Sequence, residues 1–112
     1  MKIALPVTDN KLCTHFGHCE SFEVFDVDDS TKSITGRATF SAPPHQPGLL
    51  PRWLAEKGVK CVIAGGMGSR AVAIFKENGV SVITGAQAGE PVAILKDYIN
   101  GRLETGANVC DH

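Results

Sequence analysis

The sequence has no apolar run that approaches the roughly 20 residues a membrane-spanning helix requires. Its opening residues, Met1 to Pro6, are typical of a β-strand and not of a signal peptide. We therefore expect a cytoplasmic protein without a membrane partner. The net charge is −1 and no basic stripe is present, which argues against nucleic acid as a partner.

The composition is otherwise that of an ordinary soluble domain, with 43% hydrophobic and 21% charged residues. A chain of 112 residues predicts one domain. Domains of this size bury enough surface to fold without disulfides or a structural metal. Any metal site should therefore serve function, and not folding.

Two thiols and two imidazoles lie within seven residues of a loop-like segment: Cys13, His15, His18 and Cys19. Cytosolic cysteines are normally reduced, so they indicate metal or redox chemistry more than a disulfide framework. Thiolates and imidazoles are the usual ligands of zinc, copper and iron–sulfur assemblies. The alternatives are hydrogen-bonding loop histidines and cysteines that act as small buried hydrophobes. The second alternative suits Cys61 well.

Hydrophobic periodicity predicts the element order β-β-β-α-β-α-β-α. Strands are expected at 2–7, 21–28, 33–40, 60–64 and 80–84, and helices at 49–57, 70–78 and 91–100. This order predicts an α/β fold of the ribonuclease H-like type, with three helices on a five-stranded mixed sheet. The expected strand order is 3-2-1-4-5, with strand 2 antiparallel. Residues 1–101 would form the domain and 102–112 a flexible tail.

The carboxyl ends of parallel strands are where open α/β sheets bind ligands. The Cys13–Cys19 loop follows the first strand, a glycine-rich turn follows the fourth, and a second glycine-rich turn, Gly85–Gly89, follows the fifth. His45 lies just beyond the third strand. We expect these segments to meet at one edge of the sheet. Convergence of this kind favours a binding site more than any single motif does.

The glycine-rich turn offers backbone N–H groups at the start of a helix, where anions bind. Its residues are Gly65, Gly66, Met67, Gly68, Ser69 and Arg70; we expect Ser69 as the N-cap and Arg70 as a cationic contact. It is not a P-loop, because the Gly-Lys-Ser/Thr ending is missing. The alternative is a tight turn that needs glycine for its backbone angles.

Cys110 and His112 close the chain. The third helix runs away from the carboxyl edge, but residues 102–112 could span about 35 Å if extended, enough to return. Cys110 is therefore a candidate metal ligand. Other interpretations are that this pair serves a second molecule or stays disordered.

The sequence resembles the dinitrogenase iron–molybdenum cofactor biosynthesis family. The resemblance rests on the opening strand and on three further segments: His15 to Cys19, Pro43 to His45, and Val62 to Ala71. That family includes NifX- and NifY-type cofactor carriers, the C-terminal domain of some NifB proteins, and the molybdenum–copper orange protein of sulfate reducers.

The resemblance implies a ribonuclease H-like fold, a metal–sulfur cluster of iron–sulfur, iron–molybdenum or molybdenum–copper type, and no catalysis. It implies that His15, His18, Cys19 and the Gly65–Ser69 turn form the site. Partners would be proteins that donate and accept the cluster, and we expect a monomer or weak homodimer. Alternative functions are a zinc-binding or thiol-redox interaction module and, less favoured, a ribonuclease H-type nuclease, which needs clustered carboxylates that the first strand lacks.

Overall fold

The computed structural model describes residues 1–13, 16, 19–43 and 48–106. The strands are β1 (Lys2–Thr8), β2 (Lys11–Leu12), β3 (Ser21–Asp28), β4 (Ser33–Ser41), β5 (Val59–Ile63) and β6 (Ser81–Ile83). The helices are α1 (Leu49–Glu56), α2 (Ser69–Glu77) and α3 (Pro91–Ile99). Within the described ranges, no helix has the length and apolarity needed to cross a bilayer.

The strands form one mixed sheet whose main order is β4-β3-β1-β5-β6, with β2 paired to β1. β1, β5 and β6 are parallel to one another, whereas β3 is antiparallel to both of its neighbours. The predicted α/β class with a mixed sheet and three helices is therefore confirmed for the described chain. The ribonuclease H-like label stays a prediction.

The expectation of five strands was wrong, because the described residues form six. The additional strand is β2, which pairs with β1 across a two-residue turn. Both turn residues, Asp9 and Asn10, have positive φ angles of 53° and 64°. Tight hairpins favour this left-handed backbone, and aspartate and asparagine tolerate it. A two-residue strand is too short to show any periodicity, so the sequence indicated only the turn.

The sheet separates two apolar layers. On one face α1 and α2 cover a cluster that includes Phe22, Leu54 and Phe75. On the other face α3 covers a second cluster, which includes Leu5 and Leu95. Alternating residues of the buried strands supply both layers, as the two-residue period of a strand requires. The layers hold the parallel strands in place and so fix where their carboxyl ends lie.

The β3–β4 hairpin is joined by a buried carboxylate. Glu23 on β3 accepts hydrogen bonds from the Arg37 guanidinium at 3.1 and 3.2 Å and from the Thr39 hydroxyl at 2.9 Å. Burial alone would raise the pKa of Glu23, but the bonds from Arg37 and Thr39 outweigh it and lower the pKa. Glu23 therefore stays ionised at neutral pH and holds the two strands together.

After α3 the chain returns toward the carboxyl edge of the sheet. Thr105 forms an antiparallel bridge with Ala86, and the Gly106 N–H donates to the Gly85 carbonyl over 2.7 Å. The backbone at 85–86 runs opposite to the end of β5, since Gly85 and Ala86 donate to Gly65 and Ala64, respectively. Because residues 105–106 are antiparallel to residues 85–86, they run in the same direction as β5, toward the carboxyl edge.

Gly85 is required for this return. Its φ is +83°, and a Cβ there would overlap the carbonyl oxygen of Gly106. Gly79 has a similar φ of +75°, but a Cβ added to it would meet nothing within 4 Å. An alanine at either position would be strained by the positive φ angle. Only at position 85 would its Cβ also overlap another residue.

We expect Gly85→Ala to destabilise the protein more than Gly79→Ala. The latter should cost about 1–2 kcal/mol, the price of left-handed backbone for a residue with a Cβ. Gly85→Ala must also displace residues 105–106, which should cost about 1 kcal/mol or more in addition to that strain. Urea denaturation of both variants measures the difference. Equal losses of stability would show that the Gly85–Gly106 contact adds nothing.

Candidate metal-binding site

Strands β1 and β5 are neighbours in the sheet, and the topology changes direction between them. These strands pair only over Lys2–Ala4 of β1, and farther along β1 the short strand β2 takes the place of β5, with Leu12 opposite Val7. From β1 the chain passes to β3 on one side, whereas β5 leads to β6 on the other. Such a switch point is where ligands bind in open α/β sheets.

The loop after β2 is anchored to the turn after β5. The Phe16 N–H donates to the Gly66 carbonyl over 2.9 Å. The Phe16 ring is buried and contacts the rings of Phe22 and Phe75, each with centroids 5.5 Å apart. The aromatic contacts attach the loop to both β3 and α2. The loop and the glycine-rich turn are therefore neighbours, as the sequence predicted.

Cys13 and Cys19 flank this anchor at the two ends of the loop. Both are half-buried. The Cys13 N–H donates to Pro6 on β1, and the residue after Cys19, Glu20, donates its N–H to Val7. The two cysteines thus leave and rejoin β1 at adjacent positions, which brings them to the same part of the edge.

The environment of Cys19 keeps its thiol protonated. Burial raises the pKa of Cys19 to about 12, and the nearby Cys13 thiol adds to the shift. The interaction between the two groups requires that they lie close together. At neutral pH the metal-free protein therefore holds Cys19 as a thiol, and a metal must displace its proton to bind it.

The accessible part of the glycine-rich turn is its second half. Gly65, Gly66 and Met67 are buried, whereas Gly68, Ser69 and Arg70 are exposed. Met67 packs into the cluster beneath α1 and α2 and is 1% exposed. A ligand at this edge would therefore meet the start of α2 and not the Met67 side chain.

The start of α2 differs from the expectation that Ser69 is the N-cap. Gly68 occupies that position with extended angles, φ −64° and ψ 149°, and Ser69 begins the helix. Among the described residues, no side chain caps this end and no acidic residue lies in the first turn. The helix dipole and the backbone N–H groups at this end favour an anion.

The loop after β6 joins the same edge. Gly85 donates its N–H to Gly65 over 2.7 Å, and at the far end of the loop Gly89 accepts the Leu12 N–H over 2.8 Å. The loops after β2, β5 and β6 are thus linked by backbone hydrogen bonds. The sequence placed this glycine-rich turn at the same edge, because the fifth predicted strand ends there, but it did not predict these hydrogen bonds.

The return of the chain to Gly85 was also missed, because it depends on one hydrogen bond and one bridge and has no periodic pattern. Gly106 is the one weak signal, since it lies beyond the last predicted helix in a polar segment. The backbone of Gly106 lies beside Gly85 and not at the far end of α3.

The remaining predicted ligands, His15, His18, His45 and Cys110, lie outside the described residues. Within the described part of the chain, no group of three His, Cys, Asp or Glu side chains is arranged to hold a metal ion. The described part of the predicted site consists of the thiols of Cys13 and Cys19 beside the exposed half of the turn.

The predicted core position of Cys61 is confirmed. It is 1% exposed and lies in the layer beneath α3, on the opposite face of the sheet from the cluster that Cys19 contacts. Its thiol is 3.8 Å from the Tyr98 hydroxyl. Cys61 therefore serves as a matched control for the two cysteines of the edge.

The raised pKa of Cys19 makes its alkylation a test of the thiol pair. Removing the neighbouring thiol by Cys13→Ser should lower the Cys19 pKa from about 12, although burial keeps it raised. The Cys13 contribution is coulombic and acts when the Cys13 thiol has lost its proton, so iodoacetamide should modify Cys19 faster in the variant at alkaline pH. Mass spectrometry of the modified peptide measures the rate. Cys61→Ala should leave this rate unchanged. An unchanged rate in Cys13→Ser would show that the Cys13 thiol does not affect Cys19.

Comparison with known proteins gives related chains over nearly the whole length. The sequence is 29% identical over 107 residues to the uncharacterized protein MJ0580 of Methanocaldococcus jannaschii, covering 93% of this chain and 90% of that protein. The crystal structure of PH0822 matches with a TM-score of 0.88 and 28% identity over 96% of both chains. The apo orange protein of Desulfovibrio gigas has the same fold, with a TM-score of 0.65, 21% identity, and coverage of 96% and 93%, respectively.

The family comparison agrees with the resemblance seen in the sequence. The model of the family described as dinitrogenase iron-molybdenum cofactor matches residues 1–101 of the 112-residue chain. The match contains β1 to β6, all three described helices and both cysteines of the edge. The chain belongs to the dinitrogenase iron–molybdenum cofactor family.

Proposed function

We propose that this protein binds a metal–sulfur cluster as cargo at the carboxyl edge of the sheet, where the loop of Cys13 and Cys19 meets the glycine-rich turn, and carries it between proteins that build and use it. The observation behind the proposal is the Phe16–Gly66 hydrogen bond, which holds the loop of Cys13 and Cys19 against the glycine-rich turn. Soft ligands and an anion-binding helix end then lie side by side, as an anionic cluster with thiophilic metals requires.

The thiols and the start of α2 have different roles in the proposed site. Cys13 and Cys19 supply thiolates to iron, copper or molybdenum, and Cys19 loses its proton as the cluster binds. The N–H groups at the start of α2 and the exposed Arg70 compensate the negative charge of the cluster. No group in this arrangement has to perform catalysis, which suits a carrier.

The proposed site also includes three histidines that are assigned from the sequence alone: His15, His18 and His45. Each belongs to a segment with a described neighbour at the carboxyl edge: Phe16 donates to Gly66, and β4, which precedes the segment of His45, runs in the same direction as β1 and ends at that edge. Imidazole is a good ligand for the same metals as thiolate. We assign these histidines to the cargo site as further ligands or hydrogen-bond donors.

Membership in the dinitrogenase iron–molybdenum cofactor family supports a cluster over a bare ion. The orange protein supports only the fold at its level of identity. We infer a ribonuclease H-like architecture in the cytoplasm, with donor and acceptor proteins as partners. The metals that the protein takes up on reconstitution or retains on isolation distinguish iron–sulfur, iron–molybdenum and molybdenum–copper cargo.

Anaerobic reconstitution tests the function. The metal-free protein is incubated with iron and sulfide in one reaction, and with tetrathiomolybdate and copper in another. After desalting, we expect visible charge-transfer absorption that comigrates with the protein in at least one reaction. Absence of such absorption in every reaction would contradict cargo binding.

Variants assign the ligands in the same assay. Cys19→Ser should lose most of the absorption, because serine is a poor ligand for soft metals. Cys61→Ala removes a buried thiol on the other face of the sheet and should retain it. Circular dichroism confirms that both variants are folded. Full absorption in Cys19→Ser would overturn its assignment as a ligand.

A zinc-binding or thiol-redox module is the second candidate, because two neighbouring thiols also suit a zinc ion or a reversible disulfide. Elemental analysis of protein isolated without oxygen distinguishes this module from the cluster carrier. Zinc alone, with no uptake of sulfide or molybdenum, would favour this module. Iron or molybdenum with acid-labile sulfide would favour the cluster carrier.

A nuclease is less well supported. Asp9, Glu20 and Glu23 line one cavity of about 390 Å³, but Glu23 is bound to Arg37 and Glu20 accepts the Asp9 N–H over 3.2 Å. Two-metal nucleases need carboxylates that are directed together at metal ions. We expect no Mg²⁺-dependent cleavage of nucleic acid.

A further inference from the structure

A groove on the α3 face of the sheet takes no part in the proposed cargo site. It lies between α3 and the β3–β4 hairpin and has a volume of about 530 Å³. Its apolar lining comes from both sides, with Phe25 and Ile34 from the hairpin and Val92 and Ile99 from α3. Phe25 belongs to the cluster beneath α3, on the opposite face of the sheet from the cluster that Cys19 contacts. An occupant of the groove would therefore lie on the other face from the Cys19 thiol.

Every charged residue among those that line this groove is basic. Lys32 comes from the β3–β4 turn, Arg37 from β4 and Lys96 from α3. The Arg37 guanidinium is bonded to Glu23 and lies 5.3 Å from the centroid of the Phe25 ring, so its position is fixed. Among the described residues, neither lysine forms an ion pair. The groove thus has uncompensated positive charge beside an apolar floor, which favours an occupant that is acidic and partly apolar.

Strand β4 forms one edge of the sheet beside the groove. In the described part of the chain it pairs with β3 alone. Alternate N–H and C=O groups of an edge strand point away from the sheet and can pair with another chain. From Gly36 to Ser41 the register with β3 is unbroken, and this stretch contains no proline or lysine, residues that commonly protect an edge. The edge can therefore accept an added strand.

The open edge and the basic groove share one face of the sheet. Arg37 of β4 pairs with Phe25 of β3, and both residues line the groove. Side chains alternate between the two faces of a sheet, so every second side chain of a strand added to β4 would lie on the face of Arg37. Lys96 lies across the groove on that same face. Acidic residues at alternate positions of the added strand would meet this positive charge.

We propose that an extended acidic segment of another protein docks here, as a strand added to β4 between Gly36 and Ser41. Main-chain hydrogen bonds to β4 supply affinity, and carboxylates directed toward Arg37, Lys32 and Lys96 supply specificity. A second copy of this chain fits less well, because pairing β4 with itself about a twofold axis brings two basic grooves together. The docking surface does not depend on the identity of the cargo.

Titration with synthetic peptides tests the charge preference. The acidic probe is a capped peptide of about eight residues, within the usual range of strand lengths, in which glutamate alternates with valine. The control probe has lysine in place of glutamate. Amide chemical shifts of the ¹⁵N-labelled, metal-free, full-length protein report binding of each probe.

We expect the acidic probe to bind with a Kd below about 1 mM and to shift the amides of β4 and α3. The lysine probe should bind about tenfold more weakly or worse, since like charges face each other in that complex. No binding of the acidic probe, or equal binding of the two probes, would overturn the proposal. Equal binding of a single-stranded DNA of the same charge would overturn the preference for a protein segment.

Two lysine pairs with the same change in charge locate the site. Lys32→Glu with Lys96→Glu reverses the groove lysines, whereas Lys60→Glu with Lys76→Glu is the control, because neither of these lysines lines the groove. Lys96 and Lys76 each lie in the last turn of a helix, so both variants lose the same favourable interaction with a helix dipole. We expect the groove variant to weaken binding of the acidic probe about tenfold or more, and the control about twofold or less. Circular dichroism confirms folding; equal weakening would overturn the groove as the site.

Hydrogen exchange distinguishes strand addition from other ways of occupying the groove. With saturating acidic probe, the outward amides between Gly36 and Ser41 should exchange about tenfold more slowly or less, because they donate to the peptide. Amides of β6, at the opposite edge of the sheet, should be unaffected. Binding without added protection in β4 would overturn strand addition. All of these experiments use metal-free protein, so their outcome is independent of whether reconstitution succeeds.

Discussion

Backbone hydrogen bonds between loops at the carboxyl edge are the constraint on which the rest of this structure depends. The parallel strands β1, β5 and β6 each send a loop to this edge, and each loop donates to or accepts from a neighbouring one. Buried N–H and C=O groups must be paired. Here the Gly65 and Gly66 carbonyls are paired with the N–H groups of Gly85 and Phe16, so separating these loops would break those bonds.

This constraint explains why glycine and thiol groups lie together. Gly65, Gly66 and Gly85 each hydrogen-bond through their backbone to another loop. At Gly85 the lack of a side chain leaves room for the close approach of Gly106. The same packing buries the Cys19 thiol enough to raise its pKa to about 12. The edge thus keeps Cys19 protonated in the metal-free state, and this thiol becomes a ligand once a metal displaces its proton.

The strands and helices with strong periodicity were predictable from the sequence, and so was the meeting of the Cys13–Cys19 loop with the glycine-rich turn. What the sequence could not predict depends on single contacts. β2 has only two residues, and the N-cap of α2 is Gly68 because backbone angles, and not a side chain, determine it. The return of Gly106 to Gly85 depends on one close backbone approach, which leaves no pattern in the sequence.

The central claim is that the thiol loop and the glycine-rich turn bind one cargo together. Amide chemical-shift mapping of ¹⁵N-labelled protein, titrated with tetrathiomolybdate and copper(I), tests it most directly. We predict that the largest changes occur at Cys13, Cys19 and the exposed half of the turn, and that Tyr98 and the far end of α3 are unaffected. Changes confined to residues of β4 and α3, with the thiol loop unchanged, would contradict the account.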